Sequence, residues 1–131
     1  MKLYTAFIYD LEAKLHCTHK YLGQQADDDR LQIAETISAF FATPRTMPCI
    51  LFNHREVFGP RSHPVNVLTP EPGIDWPERM FPELRLALDD YRPDDYGSYK
   101  PHVTTDALEI GFPFQYYALM TGGHTVLRKW R

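Results

Sequence analysis

Histidine and threonine stand two positions apart at two places in the chain. The first pair is His16 and Thr18, and the second is His102 and Thr104. Each pair lies in a run that predicts a β-strand, and residues two apart on a strand point to the same face of the sheet. If the two strands are neighbours, two imidazoles and two hydroxyls converge on one spot. That arrangement indicates an acid/base pair with two hydrogen-bond donors.

The reaction that such a set suits is phosphoryl transfer. A neutral imidazole can take a proton from an attacking water or hydroxyl, while a protonated one donates to the leaving ribose oxygen. The hydroxyls of Thr18 and Thr104 can donate to phosphate oxygens as negative charge develops on them. Taken singly, each histidine is more readily explained as a surface or core residue, and it is the matched pair that favours catalysis. These steps require no metal, so we predict neither a metal ion nor another cofactor.

The predicted elements place the two motifs in different halves of the chain. Apolar residues recur at helical spacing from about Asp28 to Ala42, and again after Pro82 and before Pro93. Besides the two motif strands, runs rich in aromatic and β-branched residues predict strands at 3–10, 48–58, 65–69, 114–120 and 125–130. Each half thus pairs a helix with strands and supplies one motif.

Length and composition predict one domain over residues 1–131. The chain is 44% hydrophobic and 24% charged, which is ordinary for a soluble globular protein. Its two cysteines form no framework, which favours a reduced, cytoplasmic location, and we expect neither a signal peptide nor a membrane span. A net charge of −3 disfavours long duplex nucleic acid as a partner and favours a small nucleotide or an RNA end. The oligomeric state stays open.

The sequence around the motifs resembles that of the 2H phosphoesterase superfamily, the 2′-5′ RNA ligase-like or cyclic phosphodiesterase family. Tyr21, Leu22 and Gly23 follow the first motif, and Pro101 precedes the second, as is common in that family. The resemblance implies an α+β, bilobal fold in which two antiparallel sheets, each backed by a helix, surround a central groove. It also implies that the four motif residues are catalytic.

The predicted function is a metal-independent phosphodiesterase. Its substrate would be a cyclic phosphodiester, either 2′,3′-cyclic or related, or a 2′-5′ linked nucleotide or RNA. Two alternatives stay open: a catalytically idle module that binds nucleotides or RNA ends, and joining of RNA ends by the reverse reaction. Which histidine is the acid and which is the base is also open.

Four further residues are candidates for substrate binding. By strand alternation, Lys20 falls on the His16 face and would pair with phosphate charge. Tyr21 and Tyr99 flank the two motifs and would stack on a base, with core packing as the alternative. Arg61, beside the predicted break at Gly59, would steer a phosphate, with a solvated turn as the alternative.

Cys17 and His19 share the face opposite to His16. Two ligands are too few for a structural zinc site. We therefore expect both side chains to pack on the helix-facing side of the sheet, with the imidazole hydrogen-bonded locally.

Overall fold

The computed structural model describes residues 1–10, 12–71, 76–93, 99–111 and 113–131, with residues 76 and 77 described by their backbone alone. The elements in chain order are strand β1 (Lys2–Ile8), strand β2 (His16–Gln24), helix α1 (Asp27–Phe41), strand β3 (Phe52–Phe58), strand β4 (Val65–Pro70), a 3₁₀ turn (Trp76–Arg79), helix α2 (Pro82–Leu88), strand β5 (Val103–Thr104), strand β6 (Tyr116–Thr121) and strand β7 (Val126–Trp130).

The described strands form one seven-stranded sheet in the order β3-β4-β5-β2-β1-β6-β7. Strands β1 and β2, β3 and β4, and β6 and β7 form three hairpins, and every pairing in the sheet is antiparallel. The short strand β5 pairs with β2 on one side and with β4 on the other. This strand therefore joins the two halves of the chain, and the expectation of two separate sheets is wrong.

The α+β class is confirmed, but the helices do not each back a sheet of their own. Ile33 and Ile37 of α1 and Leu84 and Leu88 of α2 belong to one buried cluster on a single face of the sheet. Three aspartates in the first turn of α1 complement the positive end of the helix dipole. Neither helix is long and apolar enough to cross a membrane, within the part of the chain that the structure describes.

Alternation along β1 divides its side chains between two buried clusters. Leu3 and Phe7 point into the cluster beneath the helices. Tyr4, Ala6 and Ile8 point to the other face, where they pack with residues of β6 and of the β1–β2 loop. The second cluster supports the face of the sheet that carries the motif side chains. We call this face the groove face.

Candidate active site

The pairing of β2 with β5 brings the two motifs together. The strands are antiparallel, and Cys17 lies opposite Val103. This register sets His16 across from Thr104 and Thr18 across from His102. The two histidines therefore occupy one diagonal of a rectangle and the two threonines the other, and such diagonal neighbours lie about 7–8 Å apart or slightly less.

The motif side chains project from the groove face. Cys17 and Val103 are fully buried in the cluster beneath the helices, so the residues on either side of each point the other way. The register between β1 and β2 agrees, because Thr18 lies opposite Ala6 and His16 lies opposite Ile8, both of the second cluster. The first motif is thus held over a packed apolar floor.

Both motif imidazoles are oriented in the same way. Nδ1–H of His16 donates to the carbonyl of Ala13 at 3.1 Å. Nδ1–H of His102 donates to the carbonyl of Lys100, also at 3.1 Å. A backbone carbonyl can only accept, so each bond assigns the neutral ring a proton on Nδ1 and a lone pair on Nε2. Nε2 of each ring is then the atom available for proton transfer.

Burial lowers the pKa of His16 below its usual range. Positive charge on His124 and on His102 lowers this pKa further, while the bond to Ala13 and the carboxylate of Asp10 oppose the shift. At neutral pH, His16 is therefore uncharged and able to accept a proton.

A pocket of about 390 Å³ opens beside His16. Its walls are Glu12, Ala13, Lys14, His16, Thr104 and His124. The volume lies at the lower end of the range for small-molecule sites, about 300–1,000 Å³. His102 stands to the side of this pocket, with its ring 4.7 Å from that of Phe58. The pocket thus extends from the motifs toward the β6–β7 turn.

His124 is the residue of this pocket that sequence reasoning missed. It lies in the β6–β7 turn with a φ of 65°, and its ring centroid is 5.5 Å from that of His16. The hydroxyl of Tyr4 hydrogen-bonds its Nδ1 at 2.6 Å. The run Thr121–His124 carries a turn signal but no sign of chemistry. Only the pairing of β2, β1 and β6 brings this turn to the first motif.

Lys20 does not lie on the groove face, so the alternation argument was wrong for it. A β-bulge interrupts β2, because Lys20 pairs with Thr5 and Thr18 pairs with Ala6, which leaves His19 without an opposite residue. The bulge turns Lys20 toward the helices. Its side chain is 1% exposed, and its ammonium is paired with Asp89 at the end of α2.

Tyr99 contacts the first motif from the helix side. Its hydroxyl donates to the carbonyl of Thr18 at 2.6 Å and lies 3.4 Å from the sulfur of Cys17. The guanidinium of Arg85 stands 4.2 Å above its ring. Arg85 covers one face of the ring and the hydroxyl is engaged, so these contacts favour the alternative of core packing, in which Tyr99 positions the motif strand.

Two other candidates stay predictions. Tyr21 lies opposite Tyr4 and is 49% exposed, with the guanidinium of Arg92 5.2 Å from its ring. Its ring is thus open to a ligand at the edge of the groove face. Arg61 is exposed in the turn between β3 and β4, a few residues beyond Phe58.

The expected packing of Cys17 and His19 is confirmed. Both side chains are fully buried beneath the helices. The ring of His19 is hydrogen-bonded to the hydroxyl of Tyr117 at 2.6 Å and to the carbonyl of Met80. Among the residues that the structure describes, no three His, Cys, Asp or Glu side chains form a group that would hold a metal ion.

Comparisons with known proteins identify the fold. No protein-family model and no curated protein sequence matches the chain. A crystal structure of a phosphoesterase matches over 98% of this chain and 96% of its own, with a TM-score of 0.60 and 15% identity. The apo structure of E. coli LigT matches over 98% and 95%, with a TM-score of 0.56 and 13% identity. The chain therefore has the fold that these two structures share.

Proposed function

We propose that the chain is a 2H-type, metal-independent phosphodiesterase that hydrolyses a cyclic phosphodiester or a 2′-5′ linkage of a nucleotide or an RNA end. The observation that carries the proposal is the matched pair of imidazoles. His16 and His102 each have Nδ1 held by a backbone carbonyl and Nε2 left for proton transfer. Two histidines with the same local geometry on neighbouring strands suit the two proton transfers of phosphodiester hydrolysis.

The lowered pKa of His16 favours it as the general base. Nε2 of His16 takes a proton from water as the water oxygen bonds to phosphorus. The bond from phosphorus to a ribose oxygen breaks, and a protonated His102 donates its Nε2 proton to that oxygen. Exchange with solvent then returns both rings to their starting states. Each positioned proton transfer contributes about 10²–10⁴ in rate.

Thr18 and Thr104 supply hydrogen-bond donors on the other diagonal. Their hydroxyls would donate to the two non-bridging phosphate oxygens, on which charge grows in the transition state. The small pocket beside His16 favours a substrate of about one nucleotide over a polymer. The net charge of −3 agrees, since it does not favour a long polyanion.

A substrate panel tests the proposal. It contains 2′,3′-cyclic mononucleotides, 3′,5′-cyclic nucleotides, cyclic dinucleotides, 2′-5′ oligoadenylate and a 5′-hydroxyl RNA offered with a 2′,3′-cyclic phosphate RNA. The parent protein and the His16→Ala, His102→Ala double variant are assayed in EDTA. We expect turnover of at least one phosphodiester by the parent and none by the double variant. Binding without turnover that survives removal of both histidines would identify an idle binding module instead.

A further inference from the structure

The ring of His124 belongs to a cluster of three on the groove face. The centroids of Tyr4 and His16 are 5.8 Å apart, those of Tyr4 and His124 are 5.8 Å apart, and those of His16 and His124 are 5.5 Å apart. Tyr4 lies in the floor at 6% exposure, whereas His124 is exposed in the pocket wall. An imidazole is therefore held next to the candidate base by a buried hydroxyl.

Resting on the proposed function, we propose that His124 is a third catalytic histidine, whose Nε2–H donates to a non-bridging oxygen of the substrate phosphate. It would bind the phosphate together with Thr104, which shares the pocket wall with it. Its role would differ from that of the two motif histidines, because it would donate a hydrogen bond without transferring a proton.

The hydroxyl of Tyr4 determines which nitrogen of His124 carries the proton. Burial raises the pKa of Tyr4 to about 12, so the phenol keeps its proton at neutral pH. Among the described residues, Nδ1 of His124 is the one hydrogen-bond partner of that hydroxyl. Because Tyr4 is buried and its phenol proton has Nδ1 as its acceptor, we assign that proton to this bond and the proton of the neutral imidazole to Nε2.

The three imidazoles thus present two kinds of atom. His16 and His102 donate through Nδ1 to carbonyls, so each presents a basic Nε2. With the tautomer assigned to His124, Nδ1 accepts from Tyr4 and Nε2–H is presented as a donor. A non-bridging phosphate oxygen requires a hydrogen-bond donor, which the tautomer of His124 supplies. The attacking water requires a base, which the tautomer of His16 supplies.

Lys14 is less suited to that phosphate contact. It lines the same pocket, but its ammonium is paired with Glu12 at 3.0 Å, and both side chains are largely exposed. A mobile, solvated pair at the rim gives little preorganised stabilisation of developing charge. His124 is instead held by a hydrogen bond and by its contact with a buried ring.

Two amide variants separate the proposed role from a structural one. In His124→Gln the side-chain N–H reaches the position of Nε2, so the donor is kept. In His124→Asn the amide ends at the position of Nδ1, so the donor is lost, while asparagine tolerates the positive φ of this turn. We expect kcat/KM on the cyclic phosphodiester to fall about 100-fold in His124→Asn and about tenfold less far in His124→Gln, because only the glutamine variant keeps the donor.

Tyr4→Phe tests the control of the tautomer. In the parent background, loss of the Tyr4 hydroxyl allows the proton of His124 to move to Nδ1, so kcat/KM should fall. In the His124→Gln background, an amide needs no such control, and the same substitution should have no further effect. An equal loss in both backgrounds would show that Tyr4 acts only through the floor of the groove face.

The outcomes distinguish this inference from the proposed function. Thermal midpoints of both His124 variants near that of the parent would show that folding is not the cause of a loss. An active parent whose His124→Asn variant is equally active would overturn the role of His124 and leave the function intact. Equal loss in both amide variants would overturn hydrogen-bond donation as the role of His124 and leave the function intact. A parent that turns over no phosphodiester would overturn the function and this inference with it.

Discussion

Removal of the Tyr99 hydroxyl should weaken the fold and the first motif together. The hydroxyl donates to the half-buried carbonyl of Thr18 at 2.6 Å, and Tyr99→Phe leaves that carbonyl without this donor. An acceptor left unsatisfied in this way costs about 1–3 kcal/mol in the free energy of unfolding. With an unfolding entropy of about 2.1 cal/mol/K per residue, the melting temperature of a chain of this length should fall by about 4–11 °C.

The activity of Tyr99→Phe distinguishes a residue that positions the motif strand from one that stacks on a base. Phenylalanine keeps the ring of Tyr99, so a residue that stacked on a base would keep its contribution to kcat/KM. A residue that holds the backbone of Thr18 in place would lose it, and we expect kcat/KM to fall about tenfold, which corresponds to about 1.4 kcal/mol.

Tyr21→Phe is the matched control for this substitution. It also removes a phenolic hydroxyl beside the first motif, but from a side chain that is 49% exposed. Surface substitutions of this kind change stability by less than about 0.5 kcal/mol. Thermal unfolding and steady-state kinetics of both variants test the reasoning. A Tyr99→Phe protein that matches the Tyr21→Phe protein in melting temperature and in kcat/KM would refute it.

Three further outcomes follow from the contacts of individual residues. If His16 is the base, kcat/KM should fall on the acid side with a pKa below the usual 6.5, because burial lowers the pKa of this group; a limb centred above 6.5 in the pH profile would contradict the assignment. Lys20→Met should keep kcat/KM within about threefold of the parent, because Lys20 is buried toward the helices. A large rise in KM would instead show that Lys20 contributes to substrate binding. Burial raises the pKa of Cys17 to about 11, so a thiol reagent should modify the exposed Cys49 in the native protein and Cys17 only after unfolding, as mass spectrometry of the labelled peptides would report.

Local sequence patterns predict the elements of this fold, because each depends on residues close together in the chain. The apolar spacing of α1 and the turn signals of the hairpins are such patterns, and the predicted ends of α1 differ from the observed Asp27–Phe41 by one residue each. The single sheet is different. It depends on β5, which has two residues and pairs with β2 through one register position, Cys17 opposite Val103.

Some residues of the candidate site can likewise be predicted from local sequence patterns, and others cannot. The face shared by His16 and Thr18 follows from strand periodicity, and so does the burial of Cys17. Lys20 was misplaced because a β-bulge at His19 reverses that periodicity, and nothing in the sequence of β2 indicates a bulge. His124 could not be predicted, because its place beside His16 arises from the order of strands in the sheet.

The measurement that tests the central claim most directly compares two leaving groups in one histidine variant. A cyclic nucleotide needs a proton on its departing ribose oxygen, whereas a p-nitrophenyl phosphodiester releases a stable phenolate and needs no acid. With His102 as the acid and His16 as the base, His102→Ala should lose about 10²–10⁴ in kcat/KM on the cyclic nucleotide and far less on the p-nitrophenyl ester. His16→Ala should lose activity on both substrates. An equal loss by His102→Ala on the two substrates would contradict the account.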